Sequence, residues 1–301
     1  MTGNPIGSKG GLFFAQALQV NNTLEFIDLG ECDQDITSCI AFATVLRRNK
    51  SIIGINLNRQ ILWTLQEEPT VHLADMLCVS ITILPFVNRT LRELHLAKCD
   101  MRDFGAARLS EALERNDTLE LLDISANRVA RDGAISLSKV ISLNCPLVIL
   151  DLAFNRLQCK GAKALANALL YNTHLKVLDC PTKESSDIMV SHFQFLTSLA
   201  VQSCELKGPG LCALAESLIT NVTLECIYVW GNEHEESACI AFANLIYTNR
   251  LMENCTDVRP YVVDGRTYLA LLDHDCTYRQ YRFSVPWWKF QAPNDRSIAL
   301  F

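Results

Sequence analysis

Long hydrophobic runs are missing from this sequence of 301 residues. Its best apolar stretch, CVSITILPFV at 78–87, is far shorter than the 18 or more residues that a membrane helix needs. The N-terminus also has no sustained apolar segment and no small-residue cleavage site of the kind found in secretion signals. We therefore expect neither membrane insertion nor secretion.

Long runs of one charge are absent as well. The chain has 27 basic and 33 acidic side chains, a net charge of −6, and neither sign is concentrated in one segment. A nucleic-acid or membrane-surface partner would call for a basic stripe or patch. The sequence therefore predicts no nucleic-acid and no membrane partner, and favours other proteins as partners.

The motifs of common active sites are also missing. The six histidines show neither the H-E-x-x-H pattern nor metal-ligand spacing with cysteine. The sequence contains no phosphate-binding loop, nucleophile elbow or dinucleotide fingerprint. We expect no metal, no cofactor, no small-molecule substrate and no enzymatic activity.

What the sequence does have is a repeat of 28 residues, built on the pattern L-x-x-L-x-L with Asn or Cys at the ninth position. Four consecutive copies keep this step without a slip, and two later copies are again 28 residues apart. Two looser copies precede them. The copies begin at Leu24, Ile52, Leu91, Leu119, Leu147, Leu175, Leu196 and Leu224.

The second half of each repeat has apolar residues at helical spacing, a glycine at the entry to the helix and a closing asparagine. One short strand and one helix bury little surface alone, so neighbouring units must stack, with parallel strands about 4.8 Å apart. Helices are wider than strands, so the stack curves. Positions one, four and six point into the core, and the ninth residue satisfies or packs against backbone.

A repeat of this length with a full helix resembles the ribonuclease-inhibitor-like leucine-rich repeats. The resemblance implies an α/β solenoid, or horseshoe, with parallel strands on the concave face, helices on the convex face and a C-terminal β-hairpin cap. Residues 1–250 would form the solenoid of about seven to eight repeats, the first incomplete, and 251–301 the hairpin cap and an aromatic-rich tail. The resemblance also implies a non-enzymatic intracellular protein.

The pattern breaks at defined places. The first helix has no strand before it, and an exposed strand edge invites pairing. Either a longer form supplies an upstream cap or a partner covers this edge, and we favour the longer form. The second repeat is 39 residues long and a later step only 21. We interpret the segments 78–87 and 181–195 as tolerated insertions. Residues 258–272, with the turn Asp264-Gly265, predict a hairpin that covers the last repeat.

Thirteen cysteines are enough for several disulfides, but they lack C-x-x-C pairs, and three recur at the ninth repeat position. We interpret them as reduced, buried small hydrophobes, which places the protein in the cytoplasm or nucleus. Five Asn-x-Thr segments match the glycosylation sequon. Because four of them fall where the helix ends before the next strand, the repeat explains them better.

Two candidate protein-binding surfaces emerge. The side chains at positions three and five of each repeat alternate with those that enter the core and therefore point to the concave face. This arrangement places acidic and apolar columns side by side, which suits a basic partner segment. The alternative for the aspartates is local hydrogen bonding within the repeat. The aromatic tail either folds back on the solenoid or anchors in a partner. The predicted contact residues are Glu93, His95, Leu121, Asp123, Ile149, Asp151, Val177, Asp179, Tyr228, Trp230, Trp287 and Trp288.

The function we expect is therefore an intracellular protein-binding scaffold, with membership in a cytoskeletal or ciliary axonemal assembly as its most specific form. Regulation of a small GTPase is an alternative by fold analogy with Ran-GTPase-activating proteins, although the acidic tail of that family is absent here. Inhibition of an enzyme, as by ribonuclease inhibitor, is a second alternative. A net charge of −6 is mild for capturing a strongly basic target.

Overall fold

The computed structural model describes residues 1–60, 68–77, 88–179, 194–204 and 206–272. Most of the two insertions and the tail with Trp287 and Trp288 lie outside these ranges, so the expectations placed on them stay predictions. The helices are α1 Gly7–Val20, α2 Ile36–Leu46, α3 Glu68–Leu77, α4 Asp103–Leu113, α5 Arg131–Ser142, α6 Gln158–Leu169, α7 Gly208–Thr220 and α8 Glu236–Tyr247. The strands are β1 Phe26–Asp28, β2 Gly54–Asn56, β3 Glu93–His95, β4 Leu121–Asp123, β5 Ile149–Asp151, β6 Val177–Asp179, β7 Ser198–Ala200, β8 Cys226–Tyr228, β9 Val258–Val263 and β10 Arg266–Leu271.

The first eight strands form one parallel sheet whose spatial order is the order of the chain. The predicted register is confirmed, since Leu122 of β4 lies opposite Leu94 of β3 and Leu150 of β5. The short 21-residue step does not interrupt the sheet, because Leu178 of β6 pairs directly with Leu199 of β7. The solenoid fold of the sequence prediction is therefore confirmed.

A single continuous core lies between the sheet and the helices. In the fourth repeat, Leu119, Leu122 and Ile124 at positions one, four and six are fully buried, as the pattern predicts. The helices contribute the opposite wall, including Phe42 of α2 and Phe242 of α8. Burying one such large apolar side chain contributes roughly 2 kcal/mol, and each repeat supplies several.

The glycines at the helix entries have a different role from the predicted turn. Gly133 lies inside the first turn of α5, and a Cβ atom there would come within 2.8 Å of the Val129 and Asp103 side chains. In α6, a Cβ at Gly161 would lie 2.8 Å from the Cβ of Ala134. Glycine is therefore needed for the close approach of successive helices rather than for a left-handed turn.

Asparagine at the ninth position of a repeat holds two repeats together, as predicted. The side chain of Asn127 accepts hydrogen bonds from the backbone N–H groups of Cys99 (3.0 Å) and Met101 (2.9 Å) in the preceding repeat. Its amide group donates to the carbonyls of Leu96 (2.8 Å) and Ile124 (2.9 Å). Asn155 and Asn232 make equivalent bonds, and Gln60 takes this position in the second repeat.

The asparagines that close the helices form a second ladder. Asn116 accepts from the N–H groups of Thr118 and Leu119 and donates to the carbonyl of Leu77, 39 residues earlier. Asn88 and Asn221 are buried in the same place and belong to predicted sequons. Their side chains serve the repeat, which supports the repeat-based interpretation of these sequons over glycosylation.

At the N-terminal end of the sheet, β1 has no strand on its outer side among the described residues. α1 precedes it, and residues before α1 form no strand; the N–H of Gly3 donates to the carbonyl of Gly30 just after β1 (2.9 Å). The helix of the first repeat, α1, is therefore present. The residues before it contact the loop that follows β1.

At the C-terminal end, β9 and β10 form the predicted hairpin, with Val258 opposite Leu271 and both turn residues, Asp264 and Gly265, at positive φ. The hairpin packs on α8 and is a separate sheet, so its strands do not pair with β8 as a hairpin covering that edge would. The edge is met instead by Thr256, which bridges Ile227.

Asp257, next to this bridge, completes the ladder of strand hydrogen bonds. In the inner repeats the N–H at position six donates to a carbonyl of the following repeat, as Ile124 does to Asp151 (3.0 Å). No strand among the described residues follows β8 in the parallel sheet, and the N–H of Val229 donates to the carboxylate of Asp257 (2.8 Å). The N–H of Trp230 donates to the other carboxylate oxygen (3.1 Å). A buried side chain thus replaces the missing repeat.

Replacing Asn127 by Ala should lower the free energy of unfolding by about 3 kcal/mol, because it leaves buried backbone groups of two repeats without partners. Urea denaturation monitored by circular dichroism measures the loss. Asn22 is exposed, and Asn22→Ala is the matched control, expected to change stability by less than about 0.5 kcal/mol. Equal effects of the two substitutions would contradict the ladder.

Asp257→Asn should destabilise the last repeat by about 2 kcal/mol, because an amide has one acceptor oxygen where the carboxylate has two. Amide hydrogen exchange at Val229 and Trp230 should accelerate before exchange in β4 does. Asp264→Asn changes the same functional group in the exposed hairpin turn and should leave this exchange as it is. Unchanged protection in Asp257→Asn would remove Asp257 from its capping role.

Candidate functional site

The residues at position five of the repeats form a row of side chains across the sheet, which we call the position-five row. The strand register places His95, Asp123, Asp151 and Asp179 next to one another in four consecutive strands. Neighbouring members are therefore separated by one strand spacing, about 4.8 Å. The predicted acidic column exists, and a histidine stands at its N-terminal end.

The carboxylates of this row also have a local role. One oxygen of Asp123 accepts a hydrogen bond from the N–H of Ser125 (2.9 Å), and one of Asp151 accepts from Ala153 (2.9 Å). Asn56 makes the same bond to the N–H of Asn58 (2.9 Å). Such bonds stabilise the turn where the chain leaves the strand. The local hydrogen bonding that we weighed against partner contact therefore accounts for one oxygen of Asp123 and one of Asp151.

His95 joins the row to the adjacent one. Its Nδ1 lies 3.5 Å from a carboxylate oxygen of Asp123, and its Nε2 lies 3.8 Å from one of Glu93, two residues earlier in the same strand. The side chain of His95 is only 16% exposed, and the two carboxylates are more deeply buried. Three titratable groups from two strands thus meet at one point of the concave face.

The electrostatics of this group favour a positive imidazole. Burial opposes the charged form, but the hydrogen bonds to Asp123 and Glu93 and their negative charges outweigh it and raise the pKa of His95 to about 9. Burial likewise opposes ionisation of Asp123, but the bonds from His95 and from the N–H of Ser125 lower the pKa of this carboxyl below its usual value. At neutral pH the group holds a cation between two anions.

The position-three row runs beside it and is apolar in its centre. Leu121, Ile149 and Val177 lie in register in β4, β5 and β6. They stand outside the main core, on the opposite face of the sheet. Acidic and apolar side chains are therefore paired in three successive strands, as the sequence predicts.

The concave face is less open than the alternation of strand residues predicts. Among the described members of the predicted set, only His95, Val177 and Trp230 are half-buried. Stacking at the strand spacing sets each side chain against its counterparts in the adjacent repeats. The remaining members are buried: Glu93, Leu121, Asp123, Ile149, Asp151, Asp179 and Tyr228.

Tyr228 and Trp230, two of the predicted contact residues, lie in different surroundings. Tyr228 is buried in a small cluster with Ala200 and Cys226 on the sheet surface. Trp230 lies after the strand, packs against the main core and stacks on His234, with ring centroids 5.9 Å apart. The structure thus separates these two predicted residues, and it separates Tyr228 from Asp179 by one strand.

Two features at the C-terminal end were missed by sequence reasoning: the capping carboxylate of Asp257 and the neighbouring thiols of Cys226 and Cys255. A signal for the first existed. Asp257 follows Val229 by 28 residues, one further step of the repeat beyond its last recognisable copy. Cys255 gave no signal, because its position depends on how the chain turns after α8.

No three His, Cys, Asp or Glu side chains in the described ranges gather so that they could hold a metal ion. None of the helices in the same ranges combines the length and apolarity that crossing a membrane requires.

The comparisons with known proteins agree with the repeat. A family model described as Leucine Rich repeat matches residues 87–110 and 143–166. Leucine-rich repeat-containing protein 34 of Mus musculus is 46% identical over 243 residues, which are 81% of this chain and 52% of that protein. The protein of the same name from Homo sapiens is 44% identical over 247 residues, 82% of this chain and 47% of that one. The chain spans about half the length of these curated relatives.

Two solved structures are also similar in part. One, "Leiomodin-1 Actin-Binding Site 2 (ABS2)", has a TM-score of 0.39 and 21% identity and covers 62% of this chain and 90% of its own. The other, "Crystal structure of Rad7 and Elc1 complex in yeast", has a TM-score of 0.44 and 14% identity, with 86% and 76% coverage. Scores this low transfer neither ligand nor partner. From its sequence relatives, its repeat and its parallel sheet of eight strands, the chain is a leucine-rich-repeat solenoid and is similar to leucine-rich repeat-containing protein 34.

Proposed function

We propose that this chain is a non-enzymatic protein-binding scaffold, and that a basic segment of the partner lies along the position-five row beside the apolar position-three row. Membership in the leucine-rich-repeat family supports the binding of proteins in general. The observation that carries the specific surface is the group around His95, where the row already holds a cation.

The acidic row favours cations for a simple electrostatic reason. Asp123, Asp151 and Asp179 are neighbours in register, so their like charges face one another at about one strand spacing. Where the cation of His95 adjoins the row, the carboxyl of Asp123 is stabilised in its charged form. A Lys or Arg side chain of a partner would provide the same stabilisation further along the row.

The apolar row supplies the second half of the contact. Leu121, Ile149 and Val177 line the same stretch of sheet as the three aspartates. A partner helix or loop with basic residues on one side and apolar residues on the other matches both rows at once. Specificity would come from the charge pairing, and affinity from the water that the apolar strip releases.

Half-buried side chains mark where a partner first meets this surface. His95 and Val177 lie at the two ends of the acidic row. They are the half-buried residues among the predicted contacts of the position-three and position-five rows in β3 to β6. The buried carboxylates between them are reached by a long side chain that extends inward, as those of Lys and Arg do. The partner therefore contacts the outer atoms of the sheet surface and inserts its charged groups.

The finer expectations build on this proposal. The buried sequon asparagines Asn88, Asn116 and Asn221 support an intracellular setting, because their side chains are engaged inside the fold. Membership in a cytoskeletal or axonemal assembly, and attachment through the tail at Trp287 and Trp288, stay predictions that the identity of captured partners tests.

The charge state of His95 gives a direct test of the electrostatics. Its pKa in the folded protein is raised to about 9, against about 6.5 in an unfolded chain. Its stabilising contribution is therefore complete below about pH 6.5 and lost as pH rises through 9. The stability difference between the native chain and His95→Gln should shrink by roughly 3 kcal/mol from pH 6 to pH 10. Urea denaturation at several pH values measures it.

Asp123→Asn provides the control background, since it removes the main partner of His95. In that background the pH dependence of the His95→Gln effect should be much smaller. An NMR titration of the native chain should place the His95 midpoint near 9. A midpoint at or below the ordinary value of about 6.5 would contradict the cation-binding character of the row.

The binding surface itself is tested by the triple variant Asp123→Asn, Asp151→Asn and Asp179→Asn. Asparagine keeps the local turn bond, as Asn56 does naturally, so the substitution removes charge with little change of structure. Proteins captured from native tissue extract should be recovered at least about tenfold less by the variant, and their remaining binding should lose its salt dependence.

A charge-matched control replaces three exposed acids of the convex side, as Glu114→Gln, Asp117→Asn and Glu216→Gln. It carries the same change in net charge and should capture partners as the native chain does. If both triple variants lose binding equally, net charge alone matters; if neither loses it, partners bind elsewhere. Either result overturns the proposed surface.

A further inference from the structure

Two neighbouring thiols, one on the last strand of the parallel sheet and one on the segment after α8, are not used by the scaffold proposal. Cys226 is the first residue of β8, and Cys255 ends the short 3-10 helix Glu253–Cys255 that follows α8. The next residue of each segment forms the parallel bridge between Ile227 and Thr256. The two cysteines therefore occupy corresponding positions immediately before this bridge.

The bridge between Ile227 and Thr256 brings the two thiols close together. In agreement with this, the side chain of Cys255 contributes, after burial, to raising the pKa of Cys226. Corresponding residues of bridged segments have Cα atoms about 5 Å apart, inside the range that disulfides span. Both side chains are half-buried, so small molecules in solution reach them.

The other cysteines in the described part of the chain differ from this pair. Six of them are buried in the solenoid, where burial favours the neutral thiol; it raises the pKa of Cys99 to about 12, for example. Cys212 of α7 is half-buried, like the pair. The described cysteines that are fully buried are Cys32, Cys39, Cys99, Cys145, Cys204 and Cys239.

We propose that Cys226 and Cys255 are a redox modification site, at which a low-molecular-weight disulfide such as oxidised glutathione converts the two thiols into an intramolecular disulfide. The bond ties the last strand to the segment that covers its edge. It lies two residues before Asp257, whose carboxylate holds the N–H groups of Val229 and Trp230. Oxidation therefore adds a covalent link between the C-terminal cap and the sheet, and reduction leaves the cap held by the Thr256 bridge and the Asp257 hydrogen bonds alone.

The reaction proceeds by two exchanges. The thiolate of Cys255, after losing its proton to solvent, attacks one sulfur of oxidised glutathione and expels one reduced glutathione, which leaves a mixed disulfide. Cys226 then loses its proton and attacks the sulfur of Cys255, expelling the second glutathione. The two protein thiols give up two electrons, and one oxidised glutathione becomes two reduced molecules.

The environment of Cys226 sets this order. Burial, followed by the hydrogen bond to Cys255 and the negative charge that Cys255 carries as a thiolate, raises the pKa of Cys226 to about 12. Cys226 is therefore the poorer first nucleophile. Once Cys255 is in a mixed disulfide, its charge and its hydrogen bond are gone, and Cys226 becomes easier to ionise.

The test incubates the full chain in glutathione buffers of increasing oxidised fraction, blocks the remaining thiols with N-ethylmaleimide and maps peptides by mass spectrometry without reduction. The expected product is a peptide pair linked through Cys226 and Cys255 that disappears on reduction. Hydrogen exchange should also slow at Val229 and Trp230 in the oxidised form.

Three single variants sharpen the result. Cys226→Ser should accumulate glutathione on Cys255, Cys255→Ser should form no link at Cys226, and Cys212→Ser should form the native link unchanged. Circular dichroism confirms that each variant is folded. Separate glutathione adducts on the two residues of the native chain, links to other cysteines, or unmodified thiols at both positions would each overturn the proposal.

Discussion

The constraint on which this fold depends is the need of every backbone group at the strand ends for a hydrogen-bond partner. Strands of three residues satisfy few of these groups themselves, and the chain leaves each strand in a tight turn. Side-chain amides complete the set: Asn127 alone connects two repeats through backbone groups on both sides. Because the amides repeat with the strands, the stack has one geometry throughout.

The same constraint explains both the ends and the working face. Where the repeat stops, a partner must come from elsewhere, and the carboxylate of Asp257 takes the place of the next strand. On the concave face, Asp123 and Asp151 each use one oxygen for the turn after the strand. These two carboxylates are therefore structural features of the repeat before any role in binding.

The sequence predicted the solenoid almost completely, because burial follows the pattern of Leu119, Leu122 and Ile124 in the described repeats, apart from the exposed Leu24 of the first copy. It also predicted the register that aligns the acidic row, since register follows from a constant period. It did not predict how far that row is buried, or that the hairpin packs on α8 without pairing with β8. Those properties depend on neighbours in space, where the period no longer determines which residues meet.

The thiol pair combines one residue whose place the repeat predicts with one whose place only the fold determines. Cys226 lies at position three of the last repeat, which makes it the first residue of β8, and this place follows from the sequence. Cys255 lies in the irregular segment after α8, and only the fold brings it beside Cys226. Within the solenoid, side chains in register meet mainly their counterparts in adjacent repeats, as Leu121, Ile149 and Val177 do. At the C-terminal junction an irregular segment meets the last repeat, so a residue without a counterpart, Cys255, comes beside the sheet.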